Sequence, residues 1–98
     1  MSPRWTGVFP ALTTSFTEAL ALDLDAFRRH LHTQLDARVH GFVVCGSLGE
    51  SSTLTAEEKI TLLETAAEVC AGRVPVLCGV QERRTQDACA FVEKGQEA

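Results

Sequence analysis

Gly46-Ser-Leu-Gly-Glu50-Ser-Ser packs two glycines, three hydroxyls and a carboxylate into seven residues. Such a run can do chemistry. Glycines let a backbone come close to a ligand or take positive φ. Exposed amides in such a turn can hold an anion, typically a carboxylate or a phosphate. Ser47 can give and accept a proton. The structural alternative is a tight turn that only caps backbone groups, and spacing alone leaves both open. The segment is neither G-x-G-x-x-G nor a Walker loop, which weakens a nucleotide site.

Other reactive types are sparse. There are four cysteines, Cys45, Cys70, Cys78 and Cys89, with no C-x-x-C pair to suggest zinc. Each lies among apolar neighbours, so they read as buried free thiols, with a secreted disulfide framework as the minor alternative. Lys59 and Lys94 read as solvated surface lysines. His30, His32 and His40 read as structural or surface residues. No metal site and no cofactor is expected.

A strand-helix alternation must position the run. Residues 7–16 (GVFPALTTSF) read as a first strand with its exit loop, although Pro10 cannot donate to a ladder. Asp23 can cap a helix carrying Leu24, Phe27, Leu31 and Leu35 at spacings of three and four. Phe42 to Cys45 is a continuous apolar run, as in a parallel strand buried on both faces. Thr55-Ala-Glu-Glu58 fits a capping box. Ile60, Leu63, Ala67 and Cys70 then make one apolar stripe, and Gly72 a natural stop. Residues 74–79 (VPVLCG) read as a third strand. Thr85 can cap a third helix bearing Ala88, Phe91 and Val92.

The pattern is β-α-β-α-β-α with a period of about 35 residues. It predicts a parallel sheet with right-handed crossovers. An open doubly wound sheet fits, and so does the beginning of a (β/α)₈ barrel. In both, ligands bind beyond the carboxyl ends of the strands, which is where Gly46 to Glu50 falls.

Hydrophobic residues make up 45% and charged residues 22%, ordinary for a soluble globular chain. The net charge of −4 argues against nucleic acid and anionic membrane as partners. No apolar run approaches the roughly 20 residues of a membrane span, and the start does not resemble a signal peptide. A cytoplasmic location is the expectation.

Taken in order, these segments carry a resemblance. Residues 46–59 (GSLGESSTLTAEEK) resemble the G-[ST]-x-G-E-x-x-x-L-x-x-x-E segment of the dihydrodipicolinate synthase / N-acetylneuraminate lyase family. Residues 7–14 resemble that family's first strand, 23–27 its first helix start, and 73–79 its third strand. The match covers nearly the whole chain with the family's spacing.

The resemblance implies the N-terminal β-α-β-α-β-α portion of a (β/α)₈ TIM barrel, with residues 1–98 a partial barrel domain. It implies a Schiff-base aldolase or dehydratase acting on a pyruvate-like α-keto acid, usually a homotetramer. In the family a lysine on a later strand forms an imine that serves as an electron sink, and a tyrosine on another strand moves protons. Ser47 matches the hydroxyl that links to that tyrosine and helps hold the substrate carboxylate. Leu48 matches the next carboxylate-holding position, often threonine; leucine keeps the amide and loses the hydroxyl. Gly46 and Gly49 match the turn glycines, and Glu50 is read as turn-stabilising. Ser15 stands where proline is commoner. The chain has no tyrosine, and neither lysine lies at a predicted strand end. The catalytic lysine and tyrosine are therefore expected outside it. The alternative is a small non-catalytic α/β module that binds a carboxylate or phosphate at Gly46 to Glu50.

Overall fold

A computed structural model of the chain describes residues 6–46, 49, 53–80, 82 and 84–96. Three helices and two parallel strands alternate: α1 Leu24–Asp36, β1 Phe42–Val44, α2 Ala56–Cys70, β2 Val76–Cys78 and α3 Thr85–Gln96. The local signals explain most of the boundaries. The Asp23 carboxylate accepts the Ala26 amide at 2.9 Å and starts α1. At α2 the Thr55 hydroxyl accepts from the Glu58 amide at 3.1 Å, while the Glu58 carboxylate accepts from the Thr55 amide at 2.9 Å. The stop falls one residue before the expected glycine: Ala71 turns left-handed at φ 49, and Gly72 follows at φ 77. Arg73 then folds back, its guanidinium donating to the Val69 and Cys70 carbonyls that the helix leaves unpaired.

β1 and β2 pair in parallel, Phe42 with Val76 and Val44 with Cys78. The expected first strand survives only as a parallel bridge between Ala11 and Val43. Its bonds nevertheless continue the ladder. Val43 donates to Pro10 at 3.0 Å, Leu12 to Val43 at 2.9 Å and His40 to Val8 at 2.8 Å. Pro10 contributes a carbonyl, so its missing N–H costs this ladder nothing. β1 is thus hydrogen-bonded along both edges, while its faces differ from the expectation: Phe42 and Val44 are buried and Val43 is only half-buried.

The core lies between this sheet and the first two helices: Leu12, Phe27, Leu31, Phe42, Val44, Leu62, Ala66 and Val69. Here α2 departs from the expected stripe. Its fully buried apolar face is Leu62, Ala66, Val69 and Cys70, whereas Ile60 and Leu63 are only half-buried and Ala67 sits at the edge of that face. The helix is apolar over a wide arc, so sequence spacing leaves its rotation open by about one residue, roughly 100°. Packing against α1 and the sheet fixes it. Leu63 and Ala67 turn instead toward α3, where an open groove of about 320 Å³ is lined by Leu63, Ala67, Cys78, Val80, Phe91 and Val92. Among its described residues α3 buries only Phe91.

Candidate functional site at the carboxyl ends of the strands

The three chain segments leave the sheet at the same end and are tied together there. Cys45 takes a left-handed turn at φ 56 directly after β1. The Gly49 amide then donates to the Gly46 carbonyl at 3.1 Å, closing a tight turn. The Thr14 hydroxyl, at the exit of the first segment, donates to the Gly49 carbonyl at 2.5 Å. On the other side Gly79 donates to Val44 at 2.9 Å, continuing the β1–β2 ladder to the strand end.

The glycines differ in what they are for. A side chain at Gly49 would start 3.1 Å from the Leu12 carbonyl and 3.4 Å from the Cys45 amide, so one there would press the turn a few tenths of an ångström away from the first segment. At Gly46 the nearest atom would be a Val43 methyl at 3.7 Å, an ordinary contact. Gly79 is the tightest of the three, since a Cβ there would meet the Cys45 carbonyl at 2.5 Å. Of the residues singled out from the sequence, Gly46 and Gly49 are therefore brought to the strand ends. Ser47, Leu48 and Glu50 lie outside the described residues.

Lys59 overturns its expectation. It is not solvated: only 3% of it is exposed. Its ammonium meets the Glu82 carboxylate at 2.8 Å and stands 5.7 Å from the centre of the Phe91 ring. A buried cation needs such partners, because desolvating it unpaired is costly. The partner comes from the loop after β2, 23 residues along the chain, which is why local patterning does not reveal it. The pair ties the start of α2 to that loop. Its protons are engaged by a carboxylate and its side chain is shut away, so this lysine is not presented to a carbonyl substrate. Lys94 is exposed, as expected.

The cysteines divide. Cys45 and Cys70 are buried, Cys78 is half-buried, and Cys89 is exposed, against expectation. Cys89 lies on α3, where Phe91 takes the buried position. The Cys45 thiol donates to the Lys59 carbonyl at 3.7 Å and the Cys78 thiol to the Gly79 carbonyl at 3.6 Å. The neighbouring Cys78 thiol and burial push Cys45 far above the ordinary thiol range. The neighbouring Cys45 thiol, helped by the Lys59 ammonium and opposed by burial, lowers Cys78. Among the described residues no group of His, Cys, Asp and Glu could hold a metal ion. Among them, too, no helix is long and apolar enough to cross a membrane. His40 is structural, its Nδ1 accepting the Val8 amide at 2.8 Å.

An α/β chain whose strand ends converge on a glycine turn defines a class of architecture, and comparison with known proteins narrows it. The model of the Dihydrodipicolinate synthetase family matches residues 4–98, and the chain belongs to that family. It is 47% identical over 92 residues to the 4-hydroxy-tetrahydrodipicolinate synthase of Exiguobacterium sibiricum, covering 94% of this chain and 30% of that one. It is 38% identical over 94 residues to the synthase of the same name from Methanoculleus marisnigri, covering 94% and 32%. Among solved structures, dihydrodipicolinate synthase from Aquifex aeolicus superposes with a TM-score of 0.89 at 32% identity, over 95% of this chain and 31% of that one. N-acetylneuraminate lyase from Mycoplasma synoviae gives a TM-score of 0.86 at 26% identity, over 93% and 32%. The chain spans about a third of the length of these relatives.

Proposed function

We propose that this chain supplies the first three βα units, residues 1–98, of a (β/α)₈ barrel lyase that forms a Schiff base with a pyruvate-like α-keto acid. Its part is the carboxylate-binding loop Gly46 to Glu50. Ser47 donates to the substrate carboxylate and passes a proton toward a tyrosine outside this chain. Leu48 offers its amide alone. The imine-forming lysine also lies outside. The carbonyl of the keto acid becomes an iminium there, and its electron withdrawal allows a neighbouring carbon–carbon bond to form or break. The same reading gives the whole protein a homotetrameric assembly and a cytoplasmic location.

The observation that carries this reading is the family match across residues 4–98. The geometry agrees with it: Thr14 and Gly49 fasten the loop to the end of the first segment, where a ligand of either α/β architecture would bind. The family match also favours an enzyme over a small anion-binding module.

Ser47→Ala in the whole enzyme tests the loop. A lost hydrogen bond to a charged group is worth about 1.5–3 kcal/mol, so kcat/KM for the keto acid should fall about 10- to 100-fold. Unchanged kcat/KM would remove Ser47 from the site.

A further inference from the structure

Two thiols stand together where β1 and β2 end, and nothing in the proposed chemistry uses them. Cys78 is the last residue of β2 and pairs in register with Val44, so Cys45 sits one residue beyond its directly opposed partner. Strands about 4.8 Å apart with a rise of about 3.3 Å place such a diagonal pair about 5.8 Å apart at Cα, within the range disulfides span. The ladder stays closed to that point, because Gly79 still donates to Val44 at 2.9 Å. In an unbroken strand, Cys45 would point to the face opposite Val44 and Cys78. Its left-handed turn at φ 56 breaks that alternation, and its sulfur reaches the Lys59 carbonyl of α2 at 3.7 Å. Cys78 lines the groove beside Leu63 and Ala67 of the same helix.

The two thiols are also unequal in a useful way. Cys45 is buried, while Cys78 opens onto the groove between α2 and α3. The Lys59 charge acts on both, and the neighbouring Cys45 thiol favours the thiolate at Cys78. One thiol is thus accessible and inclined to ionise, and the other is buried beside it as a second nucleophile.

We propose that Cys45 and Cys78 form a redox-sensitive dithiol that a hydroperoxide converts reversibly to a disulfide, cross-linking β1 to β2 at the strand ends, directly before Gly46. In the first step the Cys78 thiolate attacks the terminal peroxide oxygen. The O–O bond breaks, Cys78 becomes a sulfenic acid, and with hydrogen peroxide the leaving hydroxide takes a proton to become water. In the second step the Cys45 sulfur attacks the sulfenic sulfur, the S–O bond breaks, and a second water leaves with the Cys45 proton. Two thiols are oxidised to one disulfide and one peroxide is reduced. A small dithiol reductant reverses the change by exchange. The bond would fix the backbone on both sides of Cys45, whose left-handed turn opens the loop.

The protein carrying this chain is treated with limiting hydrogen peroxide, its remaining thiols are alkylated, and it is digested with trypsin. The four cysteines fall in separate tryptic peptides, so the partner of each can be read. The expected product is peptide 39–59 joined to 74–83, lost on reduction, with Cys70 and Cys89 alkylated. Recovery of those two peptides unlinked, or oxidation of exposed Cys89 before either of them, overturns the proposal. The order of steps is read from two variants with dimedone, which traps sulfenic acids. Cys45→Ser should accumulate the dimedone adduct on Cys78, and Cys78→Ser should leave Cys45 unmodified. An adduct on Cys45 in Cys78→Ser overturns the assignment of Cys78 as the attacking thiol.

Discussion

Lys59 and Glu82 are the residues whose chemistry depends most on burial. Their charges meet at 2.8 Å with the lysine side chain 4% and the glutamate side chain 18% exposed. Removing one partner strands the other charge in a largely dry place, whereas removing both with apolar groups of similar size does not. Glu82→Ala should therefore cost about 3 kcal/mol of unfolding free energy, and the double variant Lys59→Met, Glu82→Leu much less. Urea denaturation of the whole protein measures both, and equal losses would contradict the pairing argument. Cys70 gives a second test at this scale. Burial pushes its thiol up, partly offset by the Arg73 charge. An unfolded thiol ionises near pH 8.5, so above about that pH the unfolded state sheds a proton that the folded state keeps. Stability from this group is then complete below about pH 8.5 and declines as pH rises toward the higher folded value. Thermal midpoints taken across that range should fall, and less steeply in Cys70→Ala. An unchanged slope in the variant would show that Cys70 does not carry the effect.

The elements show which features a local sequence can encode. Asp23 and Thr55 act within three residues of themselves, and both caps are legible from residue type and spacing alone. Thr55→Ala should cost about 1 kcal/mol, from loss of the N-cap bond, read as a lower thermal midpoint. No change would mean α2 is held by packing alone. The alternation of strands and helices is legible too, because apolar runs and helical spacing are local patterns. The phase of α2 is not. Leu62, Leu63, Ala66 and Ala67 are all apolar, so only contact with α1 and the sheet decides which pair faces inward. The burial of Lys59 is hidden for the same reason: its surroundings come from Glu82 and Phe91, far along the chain. The first segment is legible as extended, and the structure keeps of it one bridge to β1. At the loop, Gly46 to Glu50 is conspicuous by composition. The Thr14 hydroxyl that holds Gly49 is not, because its partner lies 35 residues away.

For the whole molecule, the proposed reading rests on continuity. The described sheet has the order β1–β2, with the first segment bridged to the other side of β1. In a barrel the outer side of β2 takes the next strand, and the groove between α2 and α3 lies in the helical layer around it. The imine-forming lysine would then stand on a strand beyond this chain, facing the strand ends where Thr14 holds Gly49. Borohydride trapping with pyruvate asks directly where that lysine is. No adduct is expected on this chain alone, and a reduced pyruvyl adduct is expected on a downstream lysine of a protein extended through all eight strands. An adduct on Lys59 or Lys94 would contradict this placement.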